Sequence, residues 1–122
     1  MQRTATTIVA WGVYEFVVGA TLLLAPNVLL RVIGLPATDE VWIRLIGVMA
    51  LAIGYFFVQS ARVGHVPFFR WSMHVRIGVG LLIAALVVSG LGPPILLLFA
   101  LLDVLGVTWT GLTMRAETAV AT

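Results

Sequence analysis

The sequence predicts an all-α protein, a four-transmembrane-helix bundle with antiparallel, up-down helices and a short interfacial segment between the first and second. Three observations carry that prediction. Of the 122 residues, 61% are hydrophobic and only 10% are charged, whereas soluble domains usually carry about 25% charged residues. Too few polar side chains remain to cover the surface of a soluble domain. The apolar residues also run in continuous stretches rather than in stripes. Finally, breakers divide the chain into four stretches of about 20 residues, each long enough to cross a hydrocarbon core of about 30 Å. Residues 1–122 therefore read as a single integral membrane domain, with spans at about 7–25, 41–59, 71–89 and 94–114.

The first span, 7–25, stops at Pro26-Asn27, a pair that suits a helix end and turn. Arg3 ahead of an apolar run has the outline of a signal peptide. Glu15 interrupts that run, however, and no A-x-A-like cleavage site follows it, so the segment is read as a span. Residues 28–35 are too short to cross and carry Arg31 among aliphatics, which fits a short helix or turn lying in the interface. Pro36 ends it, and Thr38 or Asp39 is placed to cap the second span, with Asp39 and Glu40 where a helix dipole favours negative charge. Residues 60–70 form the most polar and breaker-rich connection, which predicts a loop before a third span at Trp71. A tight turn at Gly90-Leu91-Gly92-Pro93-Pro94 leads into the fourth span, and the tail from Arg115 to Thr122 has no apolar period and is expected to fray.

Orientation follows from the arginines. Arg3, Arg62, Arg70 and Arg115 fall on one side of this threading, against Arg31 on the other, with Asp39 and Glu40 nearby. The Lys/Arg excess marks cytoplasmic loops, so both termini are expected in the cytoplasm. Trp42, Trp71 and Trp109 lie near span ends, as an aromatic belt requires, while Trp11 is deeper.

Composition also excludes whole classes of chemistry. There is no cysteine, so disulfides, thiolate metal sites and thiol nucleophiles are absent together. The net charge of +2 comes from seven Arg spread singly, which gives no nucleic-acid footprint. His65 and His74 lack metal-ligand spacing, and Gly78-Val79-Gly80 lacks the third glycine of a dinucleotide loop, so no metal or cofactor is expected. Ser60, Ser72 and Ser89 have no triad partners at recognisable spacing. Arg44-Leu45-Ile46-Gly47-Val48 and Arg76-Ile77-Gly78-Val79 are two short matches in a biased composition and do not make a repeat.

The candidate site residues are the ionisable groups inside the spans: Glu15, Arg44, Arg76 and Asp103. A charge at a span centre costs about 2.5–3.5 kcal/mol on insertion scales, so these four are expected to face inward. Each shares a helix face with small residues: Gly12 and Gly19 with Glu15, Gly47 and Gly54 with Arg44, Gly80 and Ala84 with Arg76, Ala100 and Gly106 with Asp103. At about 1.5 Å per residue, Glu15 and Asp103 lie near the midplane, Arg44 about 5 Å below one membrane surface and Arg76 about 8 Å above the other. Side chains lean toward helix N-termini, which favours Glu15 with Arg76 and Asp103 with Arg44, and a single shared cluster is the rival geometry. Such pairs either fix helix register or form a ligand site or proton-linked site. His74, one turn into the third span, is a secondary candidate as a group that titrates near neutral pH. Tyr14 and Tyr55 are candidates as hydrogen-bond partners of the acids.

With these residues in place, the layout resembles the DoxX-like family, small four-span bacterial membrane proteins, many of unknown function. The resemblance rests on Leu24-Ala25-Pro26 closing the first span, the connector of residues 29–36, Arg44-Leu45-Ile46-Gly47 opening the second, and Asp103 in the last. It implies a four-helix integral membrane fold in the bacterial inner membrane and assigns no catalytic residue. The chain is also similar to the small multidrug resistance exporters in length, in its four spans, and in the run Glu15-Phe16-Val17-Val18-Gly19-Ala20. That likeness implies a pair of Glu15 side chains from two subunits exchanging a lipophilic cation for protons. The chain departs from that family in having Arg44 and Arg76 inside spans and in lacking a Pro-Thr-Gly and Ala-Tyr-Ala run in the second.

The leading expectation is a membrane protein that binds a lipid or amphipathic small molecule within the bundle, or serves as an accessory subunit to a membrane protein partner, with a homo-oligomer also open. A proton-coupled exporter of lipophilic cations is the alternative. An intramembrane enzyme using Glu15, Asp103 or His74 as general acid or base is the third reading, although the sequence marks no enzyme.

Overall fold

The computed structural model describes residues 2–121, and the side chains of residues 2–119. Every regular element among them is helical: α1 (Gln2–Leu24), α2 (Pro26–Val32), α3 (Val41–Arg62), α4 (Val66–Val88), a 3-10 turn (Pro94–Leu96) and α5 (Leu97–Ala121). Four of these segments, α1, α3, α4 and the 3-10 turn continuing into α5, are long and apolar enough to cross a membrane. This is the all-α, four-span architecture expected from the sequence. A helix closes its backbone hydrogen bonds within itself, which is what permits such apolar segments to leave water.

Two compact units divide the chain, one of residues Val9–Gln59, the other of the first turns of α1 up to Ile8 together with everything from Ser60 onward. In the first unit, α1 and α3 lie antiparallel and meet through glycines. A Cβ on Gly19 would fall 2.7 Å from the Gly47 carbonyl oxygen, and one on Gly47 would fall 2.7 Å from that of Gly19. Gly12 and Gly54 face each other in the same way, at 3.0 and 2.8 Å. The seven-residue spacing on both helices keeps these glycines on one face over two turns, and the missing side chains let the backbones touch. Leu22, Pro26, Leu30, Ala50 and Phe57 are buried apolar side chains of this unit.

The connector forms a helix that starts two residues earlier than expected. Pro26 does not interrupt the chain for long but begins α2, because its fixed φ and missing N–H suit the first turn of a helix. The Asn27 side-chain oxygen accepts the Thr38 N–H at 2.9 Å, and the Thr38 hydroxyl accepts the Glu40 N–H at 3.2 Å, which ties down the approach to α3.

In the second unit α4 and α5 are antiparallel neighbours, with Ile8, Ala61, Phe69 and Met114 as buried apolar side chains. The loop expected over residues 60–70 contracts to 63–65. Gly64, at φ +66°, donates to the Ala61 carbonyl and His65 donates to that of Ser60, a left-handed closure that ends α3 within one residue. Pro67 in the first turn then starts α4 at once, and the His65 Nδ1 accepts the Phe68 N–H at 3.1 Å as its N-cap. The polar character of 60–70 thus marks two helix ends back to back. The same closure ends α4 at Gly90.

The tail from Arg115 does not fray over the described residues: α5 continues to Ala121. Thr122 lies outside the described residues. Glu117 accepts from both the backbone N–H and the hydroxyl of Thr4, the latter at 2.9 Å. The Thr4 N–H belongs to the first turn of α1, where donors have no intrahelical partner and the helix dipole favours an anion. That contact also explains why α1 begins at Gln2, five residues before the apolar stretch.

Candidate functional site

All the buried polar side chains among the described residues belong to the second unit: Thr4, Thr7, Ser72, Arg76, Asp103 and Thr110. Arg76, 3% exposed, is their centre. Its Nε donates to the Ser72 carbonyl at 3.3 Å, one turn back along α4, and its Nη2 donates to the Ser72 hydroxyl at 3.4 Å and to the Thr110 hydroxyl at 3.1 Å. Ser72 gives its own proton to the Phe69 carbonyl, which leaves its oxygen lone pairs to the guanidinium.

The chain of hydroxyls beyond Arg76 has one direction. The Thr7 hydroxyl donates its single proton to the Thr4 carbonyl at 2.7 Å, so in the 2.8 Å contact between Thr7 and Thr110 the donor is Thr110. Thr110 in turn accepts from Arg76. Donation therefore runs from guanidinium to Thr110 to Thr7 to the backbone of α1, with Thr4 handing on to Glu117. A donor-only group at one end and a carboxylate acceptor at the other polarise every link in the same sense.

Asp103, 6% exposed, lies on α5 two turns before Thr110 and next to Gly80, where a Cβ would sit 3.8 Å from the Asp103 Cβ. It feels the positive charge of Arg76 on the facing helix. The side-chain lean argument favoured Arg44 for this acid and Glu15 for Arg76. The antiparallel register of α4 against α5 sets Gly80 beside Asp103 and Arg76 one turn further along, where its guanidinium reaches Thr110 and its charge acts on Asp103. Beside the pair, α4 and α5 leave a cleft of about 270 Å³ lined by Arg76, Ile77, Gly80, Leu81, Ala84, Ala100, Leu101 and Val104. Apart from Arg76 its walls are aliphatic. Ile77, Leu81, Leu101 and Val104 are exposed, so the cleft opens on a surface of the helix pair.

The other candidates fall on α1, α3 and α4. Glu15 is half-buried on α1, between Gly12 and Gly19 of the glycine seam. Arg44 is exposed, contrary to the inward placement expected of it, and its guanidinium donates to the Leu23 carbonyl. Leu23 is in the last turn of α1, where carbonyls lack intrahelical donors, so Arg44 serves as a helix cap supplied from a neighbour. His74 is exposed. Tyr14 packs its ring 4.9 Å from that of Trp11, and Tyr55 is exposed beside Phe56.

The structure thus buries Arg76 and Asp103 on facing helices within electrostatic reach and adds four residues to the polar network that the sequence reading did not select: Thr4, Thr7, Thr110 and Glu117. Threonine is unremarkable in an apolar helix, and only the seven-residue step from Asp103 to Thr110, two turns on one face, signals the pairing. Ser72, set aside for want of a triad, bonds Arg76. The chain matches no protein-family model, no curated protein and no solved structure.

Proposed function

We propose that the protein is a multi-pass protein of the bacterial inner membrane, of DoxX-like kind, that binds a small amphipathic molecule in the cleft between α4 and α5. One observation carries the reading: a guanidinium only 3% exposed forms part of the wall of a cleft whose other walls are aliphatic. A buried cation in a span is costly and usually marks a site, and convergent apolar walls with one strong donor suit a ligand with an apolar body and an oxygen acceptor. The Ser72 carbonyl and the Ser72 and Thr110 hydroxyls hold the guanidinium in place, so that such a ligand meets a preset donor. Both termini are assigned to the cytoplasm, since Arg3, Arg62, Arg70 and Arg115 crowd one side of the threading.

The test is mass spectrometry of what co-purifies with the detergent-extracted protein, comparing the native chain with Gly80→Leu and Asp103→Asn. Gly80→Leu fills the cleft and leaves every charge in place. A defined molecule present in the native protein and absent from both variants is the expected result. The same lipids in all three folded proteins would make the Arg76–Asp103 pair a device for holding helix register.

A further inference from the structure

A second site lies at the other end of the α4–α5 pair and does not depend on the reading of Arg76. Arg70 on α4 and Arg115 on α5 line one groove of about 710 Å³, whose floor includes Met73, Gly111 and Met114 and whose rim includes Leu112. Met114 is buried and Leu112 is 61% exposed. Gly111 is what keeps the groove open: a Cβ there would meet only the Met73 sulfur, at 3.8 Å. Among the described residues neither Arg70 nor Arg115 has a hydrogen-bond or ion-pair partner. The nearest acid in sequence, Glu117, has its carboxylate on Thr4. Two guanidiniums from facing helices therefore border one apolar trough, and no carboxylate of the described residues lines it.

We propose that this groove binds an anionic phospholipid of the surrounding bilayer, with the headgroup phosphate between Arg70 and Arg115 and an acyl chain lying over Met73 and Leu112. Guanidinium matches phosphate through paired N–H donors, and two of them at one headgroup favour a net negative headgroup over a zwitterionic one, whose own cation they repel. Arg70 stands about 6 Å into α4, which puts it near headgroup level if α4 starts at the membrane surface. Arg115 leans toward the start of its own helix, back over Gly111 and Leu112. Basic pockets between spans bind anionic headgroups for these reasons. A soluble anion is disfavoured, because the groove continues from the arginines along apolar side chains of a span.

The proposal is tested by native mass spectrometry of the protein in detergent with an equimolar mixture of phosphatidylglycerol and phosphatidylcholine of identical chains. The native protein is expected to retain phosphatidylglycerol with a preference of about tenfold or more. R70Q/R115Q should reduce that preference to about parity, and Gly111→Leu should do the same with both arginines present. Arg62→Gln, which removes an arginine near the same end but outside the groove, should leave the preference unchanged. Circular dichroism establishes that each variant is folded. Equal retention of the two lipids by the native protein overturns the proposal, as does full preference in Gly111→Leu or an equal loss in Arg62→Gln, which would indicate general charge attraction. Displacement of the lipid by millimolar inorganic phosphate would assign the arginines to a free anion and overturn the lipid assignment.

Discussion

At Thr110 one hydroxyl serves two partners, accepting from the Arg76 guanidinium at 3.1 Å and donating to Thr7 at 2.8 Å. The two bonds differ in kind. Hydrogen bonds to charged groups contribute about 1.5–3 kcal/mol, whereas neutral side-chain bonds between membrane helices average about 0.6 kcal/mol. Thr110→Val keeps the shape of the side chain and removes both bonds, and Thr7→Val removes the neutral one together with the bond to the Thr4 carbonyl. Thr110→Val is expected to be the more destabilising by about 1 kcal/mol or more, as measured by thermal or SDS-induced unfolding in detergent. Equal losses would mean that the guanidinium draws little from Thr110. Arg44 shows the opposite case, a charge in a span whose visible work is to cap the end of α1 from α3.

At the scale of helices, glycine decides which pairs come close. Gly47 on α3 meets α1 with no room for a methyl group: its Cβ would lie 2.7 Å from the Gly19 oxygen and 2.7 Å from the Leu23 nitrogen, both backbone atoms that cannot turn aside. Gly78 on α4 has nothing within 4 Å of the same construction. Gly47→Ala is therefore expected to destabilise the protein by about 1–3 kcal/mol through overpacking. Gly78→Ala should be neutral or stabilising by up to about 1 kcal/mol, because alanine loses less backbone entropy in a helix. Unfolding midpoints of the two variants, measured side by side, check the contrast. A loss of stability in Gly78→Ala would place an unseen neighbour against that face of α4. Seam glycines were legible from the sequence because they share a helix face with Glu15 and Arg44 at spacings of three and four, which survives any small error in helix bounds. Helix ends were less so, since Pro67 and Gly64 read as a loop when counted as breakers, yet each sits where a helix starts or stops.

For the whole molecule, the assignment of the termini to the cytoplasm rests on where the arginines fall, and it gives the two ends of α4 opposite exposures. The absence of cysteine makes that directly measurable. In intact cells a membrane-impermeant thiol reagent is expected to label Ser89→Cys and to spare Val63→Cys until the membrane is opened. The reverse pattern would invert the orientation, and labelling of both from outside would mean that α4 does not cross. The buried polar groups gather in the unit that holds α4, α5 and the first turns of α1. The unit of residues 9–59 packs through glycine contacts and apolar side chains that include Phe57.

What the sequence determined by itself was one-dimensional. Composition and the length of the apolar runs specify four spans, because a bilayer constrains each segment separately by its length and its charge. Glycine and proline mark the junctions for equally local reasons of φ and missing donors. The choice of partner for each charge was decided only in three dimensions. Arg76 was legible as a costly residue, but its meeting with Asp103 depends on the antiparallel register of α4 and α5. The hydroxyl pair Thr7 and Thr110 joins positions 103 residues apart. A threonine carries no sign of its partner in its sequence surroundings, since its single proton goes wherever the folded chain brings an acceptor within reach. The polar centre is therefore a property of the tertiary arrangement, built on helices whose existence was already settled by their composition.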